Sequence, residues 1–101
     1  MHAALFHNAL GVYERTRVLS AGLRIGQVEE RVLDQESGKA KVFLRIMPEI
    51  KLYENAAIAK KAASLLGEYY LEIDPGSPFT MRKDQRVALR ELHEGDEIKI
   101  V

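Results

Sequence analysis

From Ala40 to Met47 the chain alternates without a break. Ala40, Val42, Leu44 and Ile46 take every second position, between Lys41, Phe43, Arg45 and Met47. A period of two places the two sets on opposite faces of a strand. Pro48 then ends the run, because it offers no backbone N–H. Related runs recur along the chain: Leu23, Ile25, Val28 and Val32-Leu33; Tyr70, Leu71 and Ile73; Ile98 and Ile100. Polar turn signals separate them, at Asp34 to Lys39, Asp74-Pro75-Gly76 and Glu94-Gly95-Asp96. Six or seven short strands in 101 residues argue for an all-β fold, a small barrel or sandwich. A barrel has the advantage of leaving no free edge. The phase of the run from Leu23 breaks near Gly26-Gln27, which predicts a bulge or kink there. Gly22 and Gly26 are read as glycines that permit this bend. They are not a helix-packing Gly-x-x-x-G, which needs an apolar segment of about 20 residues around it.

Three segments are less direct. Asn8 to Thr16 reads as a loop, and Ser77 to Leu89 as a polar excursion carrying Pro78 and Phe79. Ala56 to Ala63 is helical by propensity yet sits where a strand belongs, between a hairpin arm and another alternating run. The stretch Ser64-Leu65-Leu66-Gly67-Glu68-Tyr69-Tyr70 then sets two leucines beside a glycine able to turn the chain. Strands normally keep their large apolar residues inside the strand. Leu65 and Leu66 are therefore either tucked under the domain or offered to something outside it. Taken alone, the pattern favours burial.

Composition narrows the function classes. The length suits a single domain spanning residues 1–101, and an apolar fraction of 47% suffices for a core. Fifteen basic residues balance fifteen acidic ones, so overall charge gives no hint of nucleic acid or an anionic membrane. With no cysteine, disulfides and thiolate chemistry are excluded. His2, His7 and His93 lack metal-ligand spacing, so no metal and no cofactor are expected. Ser20 and Ser64 have no histidine nearby in sequence, and His93 lies in an exposed-looking turn between Glu91 and Glu94. No catalytic residue is expected, and the chain is not read as an enzyme. Lys60-Lys61 and Arg82-Lys83 are read as solvated or edge-strand charges. Glu91, Glu94, Asp96 and Glu97 are read as solvated turn residues, and Tyr69-Tyr70 as a core and interface pair. No apolar run approaches the length of a membrane span and no signal peptide opens the chain, which is expected to be soluble as written.

Four short motifs in series resemble the MCE domain family. They are Gly22-Leu23-Arg24-Ile25-Gly26-Gln27-Val28, Val42-Phe43-Leu44-Arg45-Ile46, Leu65-Leu66-Gly67-Glu68-Tyr69-Tyr70-Leu71-Glu72-Ile73 and Glu94-Gly95-Asp96-Glu97-Ile98. The resemblance covers essentially the whole chain. It implies a seven-stranded β-barrel and makes Ala56 to Ala63 the strand leading into the Leu-Leu-Gly turn. It also implies a homo-hexameric ring around a central pore that carries phospholipid or another lipid across the bacterial envelope. The partners it implies are the permease and ATPase subunits of an ABC transporter. In this reading Leu65 and Leu66 line the pore, while Gly22, Gly26, Gly67 and Gly95 shape turns. The expected place is the periplasmic side of the inner membrane. The family's usual N-terminal anchor is missing here, so anchoring is expected from the full-length protein or from partners. The alternative is a small barrel for oligomerisation or oligonucleotide binding, without lipid transport. Oligonucleotide binding fits poorly, because charge is balanced and aromatic residues do not interleave with basic ones.

Overall fold

The computed structural model describes all 101 residues, as strands, turns and loops with no helix. The strands are β1 (His2–Phe6), β2 (Arg17–Ser20), β3 (Leu23–Asp34), β4 (Lys39–Ile46), β5 (Ala57–Ala62), β6 (Tyr69–Asp74), β7 (Phe79–Arg82), β8 (Gln85–Ala88) and β9 (Lys99–Ile100). Seven of them make one sheet in the order β1-β4-β3-β2-β6-β5-β9. Its outer strands come back together. Ala3 bridges to Glu97, and the Ile98 N–H donates to the Ala3 carbonyl at 2.8 Å. The result is the nearly closed, seven-stranded all-β barrel that the family resemblance implies, and it decides between the barrel and the sandwich that the alternation left open.

The inward positions are those of the alternating runs. Val42 and Leu44 of β4, Ile25 and Val28 of β3, Ile58 of β5 and Leu71 and Ile73 of β6 are all buried. Loop residues plug the two ends of the barrel, Val12 at one and Leu52 with Leu92 at the other. No polar or charged residue is buried. Val32 and Leu33, read above as part of the alternating apolar run, lie exposed toward the end of β3.

The expected break in β3 takes the form of two bulges. Against β2, the register passes from Val18↔Gly26 to Leu19↔Arg24, leaving Ile25 as the extra residue. Against β4, it passes from Val28↔Leu44 to Glu30↔Phe43, leaving Glu29 extra. An extra residue bends the strand and increases its twist, so β3 can serve both neighbours around a tight curve. Gly26 lies between the bulges. It was expected to shape a turn but lies inside the strand, where a Cβ would stand 2.2 Å from the Arg45 carbonyl oxygen. Close backbone approach, not a turn, requires glycine here. Gly22, Gly67 and Gly95 do lie in turns, with φ of 80°, 85° and 89°.

Ala57–Ala62 forms a strand despite its helical propensity. Its backbone pairs with β6 on one side and β9 on the other. Six residues offer too little helix to offset nucleation. Ser77 to Leu89, read as a polar excursion, is instead a β-hairpin of β7 and β8, separate from the barrel sheet. Its turn residues Lys83 and Asp84 both have positive φ, 49° and 64°, the geometry of a two-residue type I′ turn. The sequence there lacks the Asn-Gly or Asp-Gly pair that usually announces this turn.

The Glu94-Gly95-Asp96 turn brings the chain back to β1. The Asp96 carboxylate accepts the His93 N–H at 2.7 Å and an Arg90 Nη1–H at 3.0 Å. These bonds, the backbone one foremost, hold the Asp96 carboxyl below its ordinary value of 3.8. A carboxyl lowered by folding contributes stability above its unfolded value and loses it as pH falls through its folded value. Thermal melts should therefore show a smaller acid-induced fall in Tm for Asp96→Asn than for the unaltered chain. Equal falls would mean that these bonds contribute nothing. Gly26→Ala should cost on the order of 1–3 kcal/mol, the usual range for an overpacked interior. Urea unfolding reads this directly, and an unchanged midpoint would show that the Arg45 carbonyl moves aside freely.

Candidate functional site

Strands β5 and β6 form a hairpin whose loop, residues 63–68, projects from one end of the barrel. The Ala63 N–H donates to the Glu68 carbonyl at 2.8 Å and closes its base. Within the loop, the Ser64 Oγ accepts the Leu66 N–H at 3.2 Å, and Gly67 takes the left-handed conformation that returns the chain. Ser64 thus serves as a turn residue. Leu65 and Leu66 are 105% and 91% exposed. The choice left open by the sequence is decided: both leucines are offered outward, and neither belongs to the core.

The floor beneath this loop is built from Lys60. Residues 58 and 60 share one face of β5, and Ile58 on that face is in the core. Lys60 therefore points toward the barrel's end, not away from it. Its Nζ donates to the Leu10 carbonyl at 2.9 Å and to the Asn8 carbonyl at 3.5 Å. It also lies 4.9 Å from the centre of the Tyr69 ring, a cation–π distance. Of the doublet expected to be solvated, only Lys61 is exposed. Lys60 ties the Asn8–Thr16 loop to the strand pair that carries the leucines. The period-two phase shared with Ile58 was the available sign of this role. Tyr69 and Tyr70 are both half-buried and begin β6.

The remaining candidates do not come together. His2 is half-buried in β1, while His7 and His93 are exposed at separate points. No three His, Asp or Glu side chains are grouped to hold a metal ion. Three acidic residues of the last segment have partners of their own: Glu91 pairs with Lys51 at 3.8 Å, Glu94 with the Met1 ammonium group and Asp96 with Arg90. The largest surface depression lies elsewhere, lined by Arg24, Gln27, Arg45, Met47 and neighbours. Its cations are engaged, Arg24 by Gln27 at 3.0 Å and Arg45 by Glu29 at 2.9 Å. The Gln27 amide and the Arg45 guanidinium hold the Glu29 carboxyl below its ordinary range. No helix is long and apolar enough to cross a membrane. What the exposed loop offers is apolar contact, not proton transfer or nucleophilic attack.

Comparison with known proteins bears on this loop. The model of the MlaD protein family matches residues 3–76, which takes in β1 to β6 and the leucine loop and stops short of the β7–β8 hairpin. No curated protein sequence matches the chain. Among solved structures, the fold is similar to a chain of the Acinetobacter MlaFEDB complex in its ATP-bound Vtrans1 conformation. The TM-score is 0.75 at 21% identity, over 98% of this chain and 72% of that one. Barrel, motif order and family match agree, and the chain belongs to the MlaD family of MCE domains.

Proposed function

We propose that this chain is a lipid-handling component of an envelope ABC transporter, and that several copies form a ring whose Leu65–Leu66 loops line an apolar pore. The MlaD family is one of lipid-transport components, not of enzymes. The observation that carries the proposal is the full exposure of both leucines on a loop whose base is tied down. Burying a leucine is worth about 1.5–3 kcal/mol, and this loop forgoes that twice. A ring of such loops meets an acyl chain with apolar surface on all sides. Each methylene kept from water there saves about 0.8 kcal/mol. A hexamer is the ring size that the family resemblance supports.

The partners are the permease and ATPase subunits of the transporter. The similarity in fold to a chain of an ATP-bound transport complex supports this assignment. The domain then works on the periplasmic side of the inner membrane, held there by an anchor in the full-length protein or by those subunits. The cargo is a lipid, with phospholipid as the leading class.

The combined change Leu65→Asp and Leu66→Asp separates transport from folding. Both side chains are solvated, so stability should stay within about 0.5 kcal/mol of the unaltered chain. Transfer of a fluorescent phospholipid between vesicles by the assembled transporter should be lost. Undiminished transfer by the doubly charged loop would sink the pore assignment. A photoactivatable side chain at position 65 or 66 should capture lipid in the same assembly.

A further inference from the structure

The β7–β8 hairpin lies outside the residues matched by the family and pairs with no strand of the barrel. Its register is Phe79↔Ala88, Thr80↔Val87, Met81↔Arg86 and Arg82↔Gln85. Directly opposed residues share a face, and so do residues two apart. One face therefore carries Thr80 and Val87, both half-buried, and at the tip Arg82 and Gln85, both exposed. The other carries Phe79, Met81, Arg86 and Ala88, all exposed. Phe79 is 43% exposed and Met81 64%. The Arg86 guanidinium lies 3.7 Å from the centre of the Phe79 ring. Arg82 and Lys83 stand at the tip beside the single acid Asp84. None of the three cations makes an ion pair.

Charge is thus segregated in a chain that is neutral overall. Twelve of the fifteen basic residues lie outside residues 79–88, but fourteen of the fifteen acidic ones do. The hairpin carries an excess of two positive charges, and the rest of the chain the matching negative excess. A two-stranded hairpin is marginal in water unless its apolar face packs on something. Aromatic and thioether side chains interleaved with unpaired cations suit an interface that is apolar below and anionic above. A bilayer's headgroup boundary has that layering. A protein–protein core also takes up phenylalanine, methionine and arginine, so what favours the bilayer is the local excess of positive charge, Lys83 included, with no acidic partner.

We infer that the β7–β8 hairpin is an arm that docks on an anionic lipid bilayer, with Phe79 and Met81 entering the headgroup boundary and Arg82, Lys83 and Arg86 pairing with lipid phosphates. The arm follows β6 at its Asp74 end, whereas the leucine loop precedes β6 at its Tyr69 end. Membrane docking and the leucine loop are therefore set at opposite ends of the strand. The inference does not depend on the leucine loop carrying lipid.

Sedimentation of the 101-residue chain with vesicles tests it. Binding is expected to vesicles of equal phosphatidylcholine and phosphatidylglycerol, not to phosphatidylcholine alone, and should weaken as salt is raised. The triple variant Arg82→Gln, Lys83→Gln, Arg86→Gln should reduce that binding on the order of a hundredfold, with an unchanged circular dichroism spectrum. Absence of binding, equal binding to both vesicles, or an unaffected triple variant would each overturn the inference. So would a triple variant that alters oligomeric mass and not vesicle binding, since the arm would then belong to a second copy. Leu65→Asp with Leu66→Asp, aimed at transport, should leave vesicle binding in place. If it abolishes binding, the leucine loop is the membrane contact and the arm is not.

Discussion

Closing seven short strands around one apolar core obliges some strand to serve two neighbours that leave it at different angles. Strand β3 does this with two extra residues, Ile25 on its β2 side and Glu29 on its β4 side. The residue between them must then let a neighbouring backbone come close, and Gly26 meets that need against the Arg45 carbonyl. The bulge at Ile25 also allows Ile25 and Val28, three positions apart, both to face inward. Without that shift of phase one of them would face outward, and the barrel wall between β2 and β4 would lose an anchor. Every later feature of the molecule hangs from a sheet that has been curved in this way.

A closed wall leaves its ends as the only places for irregular backbone. The chain covers one end with the Asn8–Thr16 loop and fastens it with Lys60, whose ammonium group is satisfied by two carbonyls and an aromatic face. That arrangement disposes of the one basic side chain on the inward face of β5 without burying an unpaired charge. It also gives the neighbouring hairpin a firm base. The leucines can stay in solvent because the core beneath them is complete without them. Their exposure is a property of the loop, not a sign of loose packing.

Strand positions were readable because alternation and turn residues report the same geometry twice. Val42 and Leu44 illustrate this, set between the Asp34–Lys39 turn and Pro48. The barrel's closure was less so, because the contact of β1 with β9 joins residues more than ninety positions apart. The fate of Leu65 and Leu66 could not be read locally. Apolar residues beside a turn look alike whether they fold under or stand out, and only the surrounding motifs weighted the choice. Lys60 was misread for a related reason: a doublet suggests one shared environment, while a strand sends adjacent side chains to opposite faces. The β7–β8 hairpin escaped notice because its turn residues, Lys83 and Asp84, reach positive φ without glycine.

The balanced composition was the most misleading quantity of all. Equal numbers of acids and bases describe a sum, whereas recognition depends on where each charge lies. Several cations of the barrel are engaged by oxygen acceptors: Arg45 by Glu29, Arg90 by Asp96, Arg31 by the Val12 carbonyl at 2.8 Å. Those of the hairpin have no acidic partner, and Arg86 rests against the Phe79 ring alone. A charge that has a partner mainly adjusts local geometry and contributes little net energy at an exposed site. A free one keeps its whole attraction for an external anion. The three unpaired cations of one hairpin therefore say more about what this molecule can meet than the thirty charged residues taken together.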